Sequence, residues 1–324
     1  MAAVTLTASI TARYQGRLEE SLRLGEECLE ISQKIGNRSL IAEALGDLGM
    51  SHGRGFGRYA QAYDLQDQGL AIVADLGNPW QLSNAYYRRG ELAAHLGNFK
   101  AAEDDLRQAV AVDLESGYRL NIAYALTALG QLLTAVGEQA EARRVLSQAL
   151  SICRELDHPD GMLMCTTYLT LLEKNSSSLW KAEQQLFEIL KGSYERQAWV
   201  PYDLVLPAIV ALLVEPPEMS DGEPVSDRLI LAIEIAGLVD RGSRLRQRLI
   251  FDHLNELAAN LPPDIVTAAK ERGRQLDWWP MAAHLLAELP RLGWGQPEAE
   301  EPGAKEFGEV SARPPATPPT GQNK

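Results

Sequence analysis

The stretch SHGRGFGRYAQAY, residues 51–63, holds the residue types that come nearest to a chemical site. Gly53, Gly55 and Gly57 alternate with Arg54 and Arg58, and glycines flanked by cations are the material of a phosphate cradle. Such a cradle needs its glycines after a buried strand and at the start of a helix, with a Lys–Ser/Thr pair beside them. Here the glycines follow an apolar helical pattern, and that pair is absent. The other reactive side chains do not assemble either. His52, His95, His158, His253 and His284 are isolated, with no H-E-x-x-H motif and no cysteine–histidine cluster, and G-x-S-x-G is missing. Cys28, Cys153 and Cys165 lie in apolar helical patterns, too few for a disulfide framework, which fits a reducing cytoplasm. The sequence therefore predicts a non-catalytic chain with no metal and no cofactor.

Composition narrows the class further. Of 324 residues, 45% are hydrophobic and 6% aromatic, leaving Leu, Ala, Ile and Val to build a core of packed helices. A formal net charge of -13 has the wrong sign for neutralising a phosphate backbone, so no nucleic-acid partner is expected. MAAVTLTASITAR at the start lacks a basic n-region and a long apolar core. No run reaches the length of a bilayer span, so no membrane partner is expected.

What positions these residues is a repeat. Gly16, Gly57, Gly97 and Gly137 open the phrases GRLEES, GRYAQA, GNFKAA and GEQAEA at steps of 41, 40 and 40 residues. Twenty residues after each comes Gly36, Gly77, Gly117 and then Asp157, and Gly49, Gly90 and Gly130 form a third register. Each unit reads as two helices. Ala102, Leu106, Ala109 and Val110, and again Ala142, Leu146, Ala149 and Leu150, make an apolar stripe at helical spacing. Glycine caps and prolines, as in Leu76-Gly77-Asn78-Pro79, end it. Gly90 and Gly130 sit inside helices, where glycine costs about 1 kcal/mol against alanine, so a neighbouring helix is expected to approach closely there. The step from Gly49 to Gly57 is one residue longer than its counterparts. The opening stretch thus reads as a repeat turn whose extra glycines absorb one added residue.

Leu126, Leu129-Gly130, Leu133, Gly137, Ala142, Leu146 and Ala149-Leu150 resemble the small-and-large pattern of the tetratricopeptide repeat. The period near 40 resembles the MalT-like variant, found in the C-terminal sensor arms of bacterial NTPase-linked transcriptional regulators. The resemblance covers roughly residues 1–190. Arg89 departs from it where a leucine is expected, and Gln66 and Gly69 depart on a packing helix. It implies an all-α, right-handed solenoid of antiparallel helix pairs.

The expected organisation is a repeat array over 1–214, a linker over 215–226, a helical region over 227–292 and a disordered tail over 293–324. Ser177 to Ala182 aligns with Gly137 to Ala142 as a degenerate fifth unit. Ala3 to Arg13 aligns with Ala44 to Arg54, so the first pair reads as truncated, its helix lacking a partner and open to self-association. The same feature suggests a piece of a longer ancestral protein, or a misassigned start. LPPDIVTAAKERGRQLDWWPMAAHLLAEL resembles the segment that ends many such regulators, with Asp277 as a helix cap and Trp278-Trp279 covering the end of the core.

In the repeats this chain resembles, the first helix of each pair lines a concave surface. That implies a groove of Glu43, Asp47 and Met50 from one unit and Asn84, Tyr87, Arg88, Glu91 and His95 from the next. Tyr124, Thr127, Gln131 and Thr134 follow from the third. Mixed polar and aromatic side chains on a rigid concave face suit a protein or peptide, or a small effector. Arg88 is the single arginine or lysine in this set, so no basic clamp for a peptide carboxylate is expected. The function implied is protein–protein interaction or effector sensing in the cytoplasm, with a freestanding self-associating scaffold as the alternative.

Overall fold

The turn registers of the sequence become the hinges of the fold. In a computed structural model, Gly16, Gly36, Gly57, Gly77, Gly97, Gly117 and Gly137 all take left-handed backbone, with φ between 66° and 88°. Asp157 completes the series with φ 49°, the one non-glycine with positive φ among the described residues. The structure describes residues 1–173, 176–195, 202–214, 225–239, 245, 251–276 and 278–295, and no strand occurs among them.

Between these turns run α1 (Ala2–Tyr14), α2 (Leu18–Lys34), α3 (Arg38–Met50), α4 (Tyr59–Leu76), α5 (Pro79–Leu96), α6 (Phe99–Ser116), α7 (Arg119–Val136), α8 (Gln139–Glu155) and α9 (Pro159–Glu173). Then come α10 (Ser176–Glu195), α11 (Tyr202–Val214), α12 (Val225–Val239), α13 (Asp252–Ala258), α14 (Pro263–Arg274) and α15 (Trp278–Glu288). From α1 to α12 consecutive helices pack on one another in tandem, giving an all-α solenoid of tetratricopeptide-like pairs, after which α14 packs back on α12 and α15 on α10. Starts are set locally. Asn37 and Asn78 accept hydrogen bonds from Leu40 N and Gln81 N at 3.1 Å each, and Pro79 supplies the first residue of α5.

The stripes on α6 and α8 are the core: Ala102, Leu106, Ala109, Ala142, Leu146 and Ala149 are all at most 1% exposed. The helical glycines let α5 and α7 settle onto those stripes, as expected. A Cβ on Gly130 would lie 2.4 Å from Leu146 Cγ, and one on Gly90 2.9 Å from Leu106 Cγ. The departures at Arg89 and Gln66 have polar solutions. Arg89, where a leucine was expected, hydrogen-bonds both Asp105 oxygens at 2.8 and 2.7 Å and reaches Asp67 at 2.6 Å, joining α5 to α6 and α4. Gln66 Nε2 donates to the Gly46 carbonyl at 2.7 Å.

Two expectations are corrected. The added residue near Gly53 is not taken up in the interhelical turn; it widens the end of α3 into a π-helical turn, Ser51–Gly55. And α1 does not lack a partner. It packs along α2, burying Ala2 and Leu6 against Cys28, so α1 has its partner, with 13 residues against 18 in α5 and α7.

At the other end one apolar cluster runs from Ala182 on α10 through α11, α12 and α15 to Trp294. A buried ion pair, Arg228–Glu183 at 2.6 Å, ties α12 to α10, and Arg228 also donates to the Leu212 carbonyl at 3.2 Å. Trp279 packs against this cluster 6.3 Å from Tyr194, centroid to centroid. Residues 215–224 of the expected linker, Asp277 and residues 296–324 of the expected tail lie outside the described residues.

Candidate functional site

The odd-numbered helices form the inner layer. Beyond their antiparallel partners, α1, α3, α5, α7 and α9 also touch one another in succession, as happens on the tighter, concave side of a curved stack. Among the sequence-predicted groove residues, Asn84, Tyr87, Arg88, Glu91 and His95 lie partly buried along α5, and Glu43 lies on α3. Tyr124, Gln131 and Thr134 continue the row on α7. Three members turn inward instead. Asp47, Met50 and Thr127 are 3%, 6% and 4% exposed, and Met50 and Thr127 are part of the packing between helices.

Most groove side chains are fixed by partners. Glu43 accepts from Gln81 Nε2 at 2.7 Å, and Asn84 Nδ2 donates to the Trp80 carbonyl at 2.8 Å. His95 stacks on Tyr59 with centroids 4.6 Å apart. Thr127 Oγ1 donates to Ala123 O, and Thr134 Oγ1 to Gly130 O, each at 2.7 Å. Tyr124 Oη is 3.1 Å from Nε2 of His158, whose Nδ1 accepts from Gly161 N at 3.0 Å. That second bond fixes the proton on Nε2, so His158 caps α9 and donates to Tyr124.

The centre of the row is more basic than the sequence alone suggests. The π-helical turn directs Arg54 toward α5, where Nη2 donates to both Glu91 oxygens at 2.8 and 2.6 Å and to Tyr87 Oη at 3.3 Å. Burial pushes the Tyr87 phenol well above its ordinary range, with the Glu91 charge adding to the effect. Arg13 arrives from α1 and pairs with Asp47 at 3.3 Å, and Ser9 donates to the same carboxylate. Arg88 lies within electrostatic reach of Arg13, Arg54 and Asp47. Burial first, and then the Arg13 charge, hold its guanidinium below its ordinary range. Sequence reasoning missed Arg13 and Arg54, although they share one repeat register 41 residues apart.

Beside Arg88 a pocket of ≈ 90 Å³ opens between α1, α3, α4 and α5. Leu6, Ile10, Val73 and Trp80 form its apolar wall, and Glu43, Asp47, Asn84 and Arg88 its polar one. No group of histidine, cysteine and acidic residues able to hold a metal ion occurs among the described residues. No described helix is long and apolar enough to cross a membrane.

Among solved structures, the crystal structure of BtubC (BKLC) from P. vanneervenii is similar at 14% identity, covering 76% of this chain and 94% of that one, with a TM-score of 0.39. No curated protein matches the sequence. The tetratricopeptide repeat family model matches residues 1–75 and 81–155, the segment that carries the concave row.

Proposed function

We propose that this chain is a non-catalytic recognition module that holds a protein or peptide, or a small effector, on the concave face of its repeats. Tetratricopeptide repeats generally mediate protein–protein interaction, which supports the class. The observation that carries the groove reading is the continuous row of guanidinium, phenol and carboxylate groups on α3, α5 and α7, from Arg54 through Arg88 to Tyr124. A ligand lying along it meets three repeats at once. Occupancy then favours one curvature of the stack over another, which is how such a module passes a signal to a second partner.

The test is selection of random nonapeptides on the immobilised full chain. Retained peptides are expected to lose at least about tenfold in affinity for the triple variant Tyr87→Ala, Arg88→Ala, Tyr124→Ala. Peptides held equally by the triple variant, or a library from which none is retained, overturn the groove.

The period near 40 supports descent from the sensor arm of a bacterial signal-transduction or transcriptional regulator, and three buried free cysteines suit a cytoplasmic setting. Genomic sequence upstream of Met1 tests the descent. An in-frame NTPase or DNA-binding domain supports it, and an intergenic region there overturns it. A second reading, self-association through α1, is favoured by Met1 and Val4, which are 95% and 73% exposed. A strictly monomeric mass by light scattering overturns that one.

A further inference from the structure

Away from the concave row, the outer helices α8 and α10 flank a second cleft, with residues of α9 between them. Leu150, Met162, Leu163 and Ile189 supply its apolar surface, and its volume is ≈ 530 Å³. One water takes about 10–15 Å³ on the same measure, so the cleft has room for a large apolar side chain and a neighbour. Gln184 also lines it, and its Nε2 is buried with no hydrogen-bond partner among the described residues. A buried amide donor left unpaired costs free energy that an incoming carbonyl removes. Arg154 and Glu188 line it too; both are exposed, and neither is in an ion pair with a described residue.

Apolar walls, one orphan donor and one charge of each sign fit a peptide segment whose large apolar side chains sit between a base and an acid. The chain carries such a segment. Among residues 296–324, Phe307 is the one aromatic and Val310 the one large aliphatic residue, amid Pro, Gly, Ala and polar types. They stand in the phrase Lys305-Glu306-Phe307-Gly308-Glu309-Val310. The path of the chain brings them near. Gly295 lies against α10, where a Cβ on it would be 2.4 Å from Phe187 Cε1. Phe187 is next to Glu188 and two residues before Ile189, and Leu163 packs on the same apolar cluster as Phe187. From Gly295 to Phe307 the chain can span about 40 Å, well beyond the few residues of α10 that separate Phe187 from the cleft.

We propose that residues 305–310 of this chain occupy the cleft as an intramolecular strap. Phe307 and Val310 lie on Leu150, Met162, Leu163 and Ile189, and a backbone carbonyl of the strap accepts from Gln184 Nε2. Glu306 and Glu309 face Arg154, and Lys305 faces Glu188. A tethered segment meets its site at about millimolar effective concentration, so a contact too weak to hold separate molecules is filled here. The seated strap closes the cleft to other apolar segments. It makes no use of the concave row.

The experiment uses the full chain with Phe307 replaced by p-benzoylphenylalanine, a photoreactive side chain of similar shape. Illumination is expected to link it to Met162, Leu163 or Ile189, in a product of monomer mass, with the linked peptides read by mass spectrometry. Arg154→Glu, an exposed change, is expected to lower the yield by up to about fivefold, the range of a surface ion pair. Adding Glu306→Lys and Glu309→Lys is expected to restore it. In a second measurement, a labelled peptide of residues 303–313 is titrated into the parent and into the double variant Phe307→Ala, Val310→Ala. The variant, its cleft vacated, is expected to bind the peptide at least about tenfold more tightly than the parent, in which the strap competes. Links formed between chains overturn the intramolecular strap in favour of a second copy. Links elsewhere on the surface, no links, or peptide binding equal in the parent and the variant overturn the proposal outright.

Discussion

Arg54 Nη2 lies 2.6 and 2.8 Å from the two carboxylate oxygens of Glu91, clamping the π-helical end of α3 to the middle of α5. The pair is 26% and 16% exposed, between a surface and a buried ion pair. A double-mutant cycle of Arg54→Ala with Glu91→Ala is expected to give a coupling of about 1 kcal/mol in urea denaturation. Deleting Gly53 removes the added residue and turns the residues after it by about 100° around the helix. In that background the coupling is expected to vanish.

Gly130 is a packing glycine. With the site of its Cβ 2.4 Å from Leu146 Cγ, Gly130→Ala is expected to destabilise the chain by about 1–3 kcal/mol despite alanine's better helix propensity. Adding Leu146→Ala is expected to cost less in the Gly130→Ala background than alone, because the smaller side chain relieves the clash. Equal costs would show that α7 and α8 do not press together there.

Asp157 holds a left-handed turn that glycine occupies at Gly36, Gly77 and Gly117. Asp157→Gly is expected to raise the melting temperature, corresponding to up to about 1 kcal/mol of relieved backbone strain. Asp157→Val, β-branched at the same φ, is expected to lower it.

Asp113 is fully buried on α6 and accepts from Ser83 Oγ at 2.5 Å. Burial pushes its carboxyl up, against the hydrogen bond from Ser83, which pulls it down. A carboxyl whose folded pKa is raised binds more protons in the folded state than in the unfolded one. Its contribution to stability is therefore full at low pH and falls as the pH rises from about 4 through the folded value. Asp113→Asn is expected to gain stability relative to the parent as the pH rises through that window. A difference between the two that is constant with pH would exclude the effect.

His158 serves α9 and the groove at once. His158→Ala is expected to cost about 0.5–2 kcal/mol through loss of the N-terminal cap. His158→Asn is expected to keep the cap, since asparagine fills the same role at Asn37 and Asn78, and to release Tyr124. Thermal melting reads the first effect, and groove-peptide affinity the second.

The solenoid was legible because its punctuation is chemical: glycine at a left-handed turn and glycine under a leucine leave marks at a fixed period. The groove was legible only in part, because a register assigns positions around a helix and not what the side chains meet. Asp47 reads as a groove carboxylate until Arg13 and Ser9 are found to consume it. Arg54 shares a register with Arg13, but the register alone does not say that the π-helical turn carries it to Glu91.

Arg89 touches α4 and α6 from α5. In a linear array stability accumulates from each unit and its immediate neighbours, so melting can spread helix by helix from an end. A single side chain bonded across three successive helices lengthens the block that must give way together. The second and third units are spliced, and an unravelling front that reaches them has to release the whole segment or stop.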